Sequence, residues 1–87
     1  MKVVKRDGSV EEYNERKVER VVTASGLTPA QGKLLAKAVT LWVNENNGDQ
    51  ISSLRIRDKV IVELQKVDKG AADFFIWYEK KKDKGNV

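Results

Sequence analysis

Lys5, Arg6 and Lys17 are the side chains in this sequence with the clearest chemistry, because all three are cations suited to holding an anion. Lys5 and Arg6 run directly into Asp7-Gly8, and Lys17 falls one turn into the helix that follows. A second group lies downstream. Ser52 and Ser53 open a helix, whose first N–H groups and positive dipole end attract negative charge, and Arg57 sits one turn on. Tyr78 and Lys81, late in the last helix, could add to the same site. Taken singly, each of these cations also reads as a solvated surface charge; only convergence would make them a phosphate site. Catalytic constellations are missing. The chain has no His and no Cys, which removes Ser-His-Asp chemistry, a His base, thiolate nucleophiles and His- or Cys-ligated zinc. Glu11 and Glu12 are neighbours on a strand and point to opposite faces, so they form no acid/base pair. Gly32-Lys33 lacks the upstream glycine of a P-loop, and no Gly-x-Gly-x-x-Gly occurs. Binding, not catalysis, is the expectation.

These residues must be positioned by a hairpin and four helices. Asp7-Gly8 between two short apolar-containing runs favours a two-residue type I′ turn joining strands over 2–6 and 10–13. That register pairs Lys5 with Val10, Val4 with Glu11 and Val3 with Glu12. It puts Val4, Arg6, Glu11 and Tyr13 on one face and Val3, Lys5, Val10 and Glu12 on the other. Neither face is cleanly apolar, and a lone ribbon is marginal in water, so the hairpin must lie on the helices. Asn14 is a favoured N-cap for a helix over 15–24, with Val18, Val21 and Val22 on one stripe and Gly26 closing it. Thr28-Pro29-Ala30-Gln31 is a capping box with Pro at the first helical position. It starts a helix running to about 46, with Leu34, Leu35, Ala38, Leu41 and Trp42 as its expected buried stripe and Val39 and Val43 beside it. Asn46-Asn47-Gly48-Asp49 is turn chemistry. A short third strand fits near 49–51. The third helix runs over 54–67 and the fourth over about 71–82, parted by Asp68-Lys69-Gly70. Ala71, Phe74, Phe75 and Tyr78 recur at helical spacing on the last helix, while Ala72, Ile76 and Trp77 widen its apolar surface; Trp77 falls off the main stripe and reads as interfacial. The expected fold is α+β: an N-terminal β-hairpin covering a four-helix bundle.

The 87 residues make one domain with room for a single core and a surface site. The 17 Lys and Arg against 13 Asp and Glu give a net charge of +4, which suits an anionic partner without selecting one. The charged start reads as a strand, not a signal peptide, and no apolar run approaches a membrane span of about 20 residues. A cytoplasmic setting with no membrane partner is expected. A second class of reading is a small basic nucleic-acid or protein-binding module without a ligand. In it, residues 51–60 act as a recognition helix with Arg55 and Arg57 projecting outward, but Asp58 and Glu63 interrupt its basic face.

Val4-Lys5-Arg6-Asp7-Gly8-Ser9, then Glu11, Asn14, and Lys17 with Val18, resembles the opening of the ATP-cone domain. That domain is the nucleotide-binding regulatory module of many ribonucleotide reductases and of the bacterial repressors of their genes. Ile51-Ser52-Ser53 is similar to the family's Ile-x-Ser/Thr lead-in to the third helix. The resemblance covers essentially the whole chain, as a domain over 1–84 with a disordered tail over 85–87. It implies binding of ATP or dATP, with Mg²⁺, under the hairpin as a lid. Position by position, it implies Lys5, Arg6 and Lys17 at the phosphates, Val4 and Glu11 at the adenine, and Asn14 near base and ribose. It also implies Ser53 and Arg57 approaching the nucleotide, with Tyr78 and Lys81 as an aromatic-Lys pair on the last helix. It leaves a ribonucleotide reductase, a transcriptional regulator and self-association open as partners. Two features depart from the pattern. Phe74, Phe75 and Trp77 stand where tyrosines are usual, and neither a reductase catalytic domain nor a four-Cys zinc ribbon accompanies the cone. The hairpin register also puts Lys5 and Arg6 on opposite faces, a poor fit to one triphosphate.

Overall fold

The computed structural model describes residues 1–46 and 48–85, with side chains at all of these but 46 and 82–85. The chain runs β1 (Lys2–Val4), β2 (Val10–Glu12), α1 (Glu15–Ala24), α2 (Pro29–Asn46), β3 (Gln50–Ser52), α3 (Ser53–Val67) and α4 (Lys69–Gly85). It is an α+β domain, as expected, with a small sheet against four helices. The third strand forms. The sheet order is β2-β1-β3, with β1 antiparallel to β2 and parallel to β3. Asn47, part of the expected turn after α2, and Asn86 and Val87, in the expected tail, lie outside the described residues.

The hairpin corrects the expected turn and register. Lys2 pairs with Glu12, Val3 with Glu11 and Val4 with Val10, one residue off the anticipated pairing. The Lys5 N–H donates to Ser9 O at 2.8 Å and the Gly8 N–H to Lys5 O at 3.0 Å, so the loop holds three residues, Arg6-Asp7-Gly8. A type I′ turn needs positive φ at both central residues; here Gly8 has φ +89°, while among the described residues no non-glycine residue has a positive φ. Gly8 thus serves as the left-handed residue after a type I turn, the arrangement of three-residue hairpins. Asp7 is held instead by its side chain, which accepts from the Ser9 N–H at 2.9 Å and the Ser9 hydroxyl at 2.6 Å. Because side chains alternate along a strand, the one-residue shift moves Val3, Lys5 and Glu11 onto a common face.

Helix starts and stops follow their local signals. The Asn14 side chain accepts from the Arg16 and Lys17 N–H groups. The Gly26 N–H returns to Thr23 O and the Leu27 N–H to Val22 O, closing α1 in a Schellman motif. The capping box at α2 is reciprocal: the Thr28 N–H donates to Gln31 Oε1 at 2.9 Å and the Gln31 N–H to Thr28 Oγ1 at 3.2 Å. Ser52 caps α3 through the Leu54 N–H, and Asp68 caps α4 through the Ala71 N–H, which lets α4 begin at Lys69, ahead of the expected start.

The core comprises Val3, Val22, Leu27, Leu35, Val39, Val43, Ile51, Val60, Leu64, Ala71, Ala72 and Phe75. On α2 the buried stripe is Leu35, Ala36, Val39 and Val43, whereas Leu34 and Leu41, placed inside from sequence, are 71% and 61% exposed. Apolar residues cover α2 on all sides but the stripe of Lys33, Lys37, Thr40 and Asn44, an arc wider than the face it buries, so hydrophobicity alone could not orient it. Gly32 does. A Cβ there would run into Thr23 Oγ1, so α1 crosses α2 at close range on the Gly32 side and takes Leu35, Ala36 and Val39 inward. On α4 the buried residues are Ala71, Ala72 and Phe75, while Phe74, Trp77 and Tyr78 are about half exposed. The expected stripe through Phe74 and Tyr78 therefore lies outside; the small alanines, not the aromatics, permit close approach to α3.

Candidate functional site

Three elements and a hairpin enclose a cleft of about 790 Å³. β1 and β2 form its roof. α1, α3 and α4 supply its floor, where Val18, Val21, Ile56, Val60 and Phe75 present an apolar surface. The hairpin is fixed from two sides. The Lys2 N–H donates to Asp49 O at 2.8 Å, tying β1 to the residue just before β3, the strand leading into α3. At the other end Tyr13 reaches Thr40 on α2 with 2.9 Å between hydroxyl oxygens. Thr40 spends its proton on Ala36 O, so the Tyr13 hydroxyl is the donor. Burial pushes the Tyr13 hydroxyl pKa up.

Seven of the ten residues singled out from sequence line this cleft: Lys5, Arg6, Glu11, Asn14, Lys17, Ser53 and Arg57. The corrected register is what brings Lys5 and Glu11 together. Glu11 lies between two ammonium groups, Lys5 Nζ at 3.5 Å and Lys17 Nζ at 3.4 Å. Arg6, in the loop, reaches across to Glu79 on α4 at 3.7 Å. Arg57 is turned along its own helix toward Asp58, 3.2 Å away. Ser53 is the first residue of α3, so the orphan N–H end of that helix borders the same space.

Val4, Tyr78 and Lys81 do not line the cleft. Val4 follows Val3 on β1 and so faces the other side of the sheet, paired with Val10 and Ser52. Tyr78 is on the outer side of α4, and Lys81 sets its ammonium 4.9 Å from the Trp77 ring centroid instead. Val3, Tyr13, Phe75 and Glu79 border the cleft and were missed by sequence reasoning. Glu79 was accessible in principle, because it follows Phe75 by one turn on the face begun by Ala71 and Ala72. Phe74 and Tyr78 drew the expected stripe the other way.

The cleft pairs an apolar floor with cations and a helix N-terminus at one side, which suits a ligand with a flat apolar part and an anionic part. Among the described residues no cluster of three or more Asp or Glu side chains could hold a metal, and none of their helices is long and apolar enough to cross a membrane. In comparison with known proteins, the family model described as ATP cone domain matches residues 1–84. No curated protein matches the chain at a significant level.

Proposed function

The chain belongs to the ATP-cone family, whose domains are nucleotide-binding regulatory modules rather than catalytic ones, and we propose that it binds ATP or dATP in the cleft beneath the β1–β2 hairpin. The observation that supports this reading is the convergence of Lys5, Arg6, Lys17 and Arg57 with the start of α3 around one cavity. Each cation alone would be unremarkable. Together they surround a space whose floor is Val18, Val21, Ile56 and Phe75, apolar enough to take a purine face.

In this reading the triphosphate lies toward Lys5, Arg6, Lys17 and the Ser53 end of α3, and the base lies over the valines of α1. Glu11 then has two roles. Without ligand it neutralises Lys5 and Lys17. With ligand those ammonium groups turn to phosphate oxygens, and Glu11 becomes free to accept from the exocyclic amine. Asn14, committed to the first turn of α1, fixes where Lys17 emerges. Mg²⁺ would arrive on the phosphates, since such ions keep several waters and need only one or two carboxylates. Regulation follows if ATP and dATP stabilise different arrangements of the hairpin or of an assembly, because an effector shifts only equilibria between states that it binds unequally. A ribonucleotide reductase, a transcriptional regulator and a second copy of the chain are the partners that fit such a module. Isothermal calorimetry with ATP and with dATP at near-physiological salt tests the reading. Saturable heat with one-to-one stoichiometry is the expected result, and absence of heat with both nucleotides refutes it.

A further inference from the structure

Glu79 has no part in the binding scheme above, yet it lies in the cleft. Its side chain is 17% exposed, on the face of α4 that carries Phe75, and its Oε2 is 3.7 Å from Arg6 Nη2. Arg6 belongs to the hairpin loop and Glu79 to the last helix, so this ion pair joins roof to floor across the cleft. The arrangement repeats the one at Glu11, where another carboxylate occupies the cations Lys5 and Lys17. The cations best placed for an anionic ligand thus already have carboxylate counter-ions. A guanidinium presents the same fork of N–H donors to carboxylate and to phosphate, so the two compete for it.

We infer that Glu79 is an affinity-setting residue of the nucleotide site: a built-in counter-ion at Arg6 that an incoming phosphate displaces, loosening the tie between the hairpin and α4. The inference rests on the nucleotide-binding reading of the cleft. Glu79 is the less exposed partner, against 40% for the Arg6 side chain, so Arg6 can turn to a ligand while Glu79 stays in the wall. The displaced carboxylate then remains a negative charge beside the phosphates and lowers their affinity. Removing that charge while keeping its shape tightens binding.

The test titrates the wild-type chain, Glu79→Gln, Arg6→Gln, the double variant and Asp73→Asn with ATP and with inorganic tripolyphosphate. Asp73 is an exposed carboxylate on the same helix and does not line the cleft, so it controls for net charge. Glu79→Gln should bind both ligands about threefold tighter, the size expected from one partly exposed ion pair. Asp73→Asn should match wild type, and the gain from Glu79→Gln should shrink when Arg6 is already Gln. Wild-type binding with Glu79→Gln no tighter than Asp73→Asn would overturn the role of Glu79 and leave the nucleotide site standing. If neither ligand binds any of the proteins, the nucleotide reading falls and this inference with it.

Discussion

Lys5 and Lys17 come from different elements and meet at one carboxylate, Glu11, which makes them the most direct probes of the site. A hydrogen bond from a cation to phosphate contributes about 1.5–3 kcal/mol. Lys17→Ala should therefore weaken ATP binding roughly 10- to 100-fold, and Lys5→Ala comparably, as read by calorimetry. Unchanged affinity in both would move the ligand elsewhere. Three carboxylates give a second residue-scale prediction. Hydrogen bonds from the Ser9 hydroxyl and N–H hold the Asp7 carboxyl below its usual range, and the Lys2 ammonium does the same for Glu12. Burial pushes Glu63 up, but Lys66 and Lys59 outweigh it and bring it below the usual value. With folded values depressed, the unfolded chain binds more protons as pH falls. The contribution of these groups is fully present above about pH 5 and is lost as pH falls through the folded values. The urea midpoint should drop between pH 7 and pH 3.5, and it should drop less in Asp7→Asn, whose amide oxygen can still accept from Ser9. An equal drop would remove Asp7 from the account.

At the scale of elements, Gly32 sets the α1–α2 crossing. Ala there gains about 1 kcal/mol of helix propensity but drives its methyl into Thr23 Oγ1, which is itself donating to Glu19 O at 2.7 Å. Overpacking costs about 1–3 kcal/mol, so Gly32→Ala should destabilise the domain by up to about 2 kcal/mol in chemical denaturation. In a Thr23→Ala background the clash is gone and the same change should become neutral or stabilising. A constant cost in both backgrounds would locate the strain elsewhere. The hairpin carries the parallel lesson. Asp7-Gly8 announced a turn, but two-residue and three-residue loops share that dipeptide, and their registers differ by the one residue that decides which side chains face the cleft. The opening motif therefore named residues that line the cleft while misassigning the faces of the hairpin. Val3 lines the cleft and Val4 does not.

For the whole molecule, ligand binding should register as stability. A ligand bound only by the folded state stabilises it by about 2.7 kcal/mol at 100 times its dissociation constant. In a domain of this size about 1 kcal/mol moves Tm by roughly 4–8 °C, so saturating ATP should raise Tm by roughly 10 °C or more. Thermal unfolding followed by circular dichroism, with and without ATP, checks this. The Lys17→Ala variant should lose most of the rise, since the cleft is bounded by β1, β2, α1, α3 and α4 together and its ligand would brace them against one another. A rise that survives Lys17→Ala intact would point to binding outside the cleft.

The amino-acid sequence determined what rests on local chemistry. Asn14, the Thr28–Gln31 box, the Ser52 cap and the periodic apolar residues place every helix, because caps and periodicity act within a few residues. Composition removed His and Cys chemistry, and the Lys5-to-Lys17 pattern pointed to a cleft under the hairpin. Tertiary structure decided orientation. Helices whose apolar surface is wider than the face they can bury, such as α2 and α4, have no single preferred inner face until a neighbour packs on them. The side that allowed the closest approach won, through Gly32 on α2 and Ala71 and Ala72 on α4. That choice turned Tyr78 and Lys81 outward and Glu79 inward. It also set the carboxylate of α4 against Arg6, a pairing between residues 73 positions apart that no local pattern encodes.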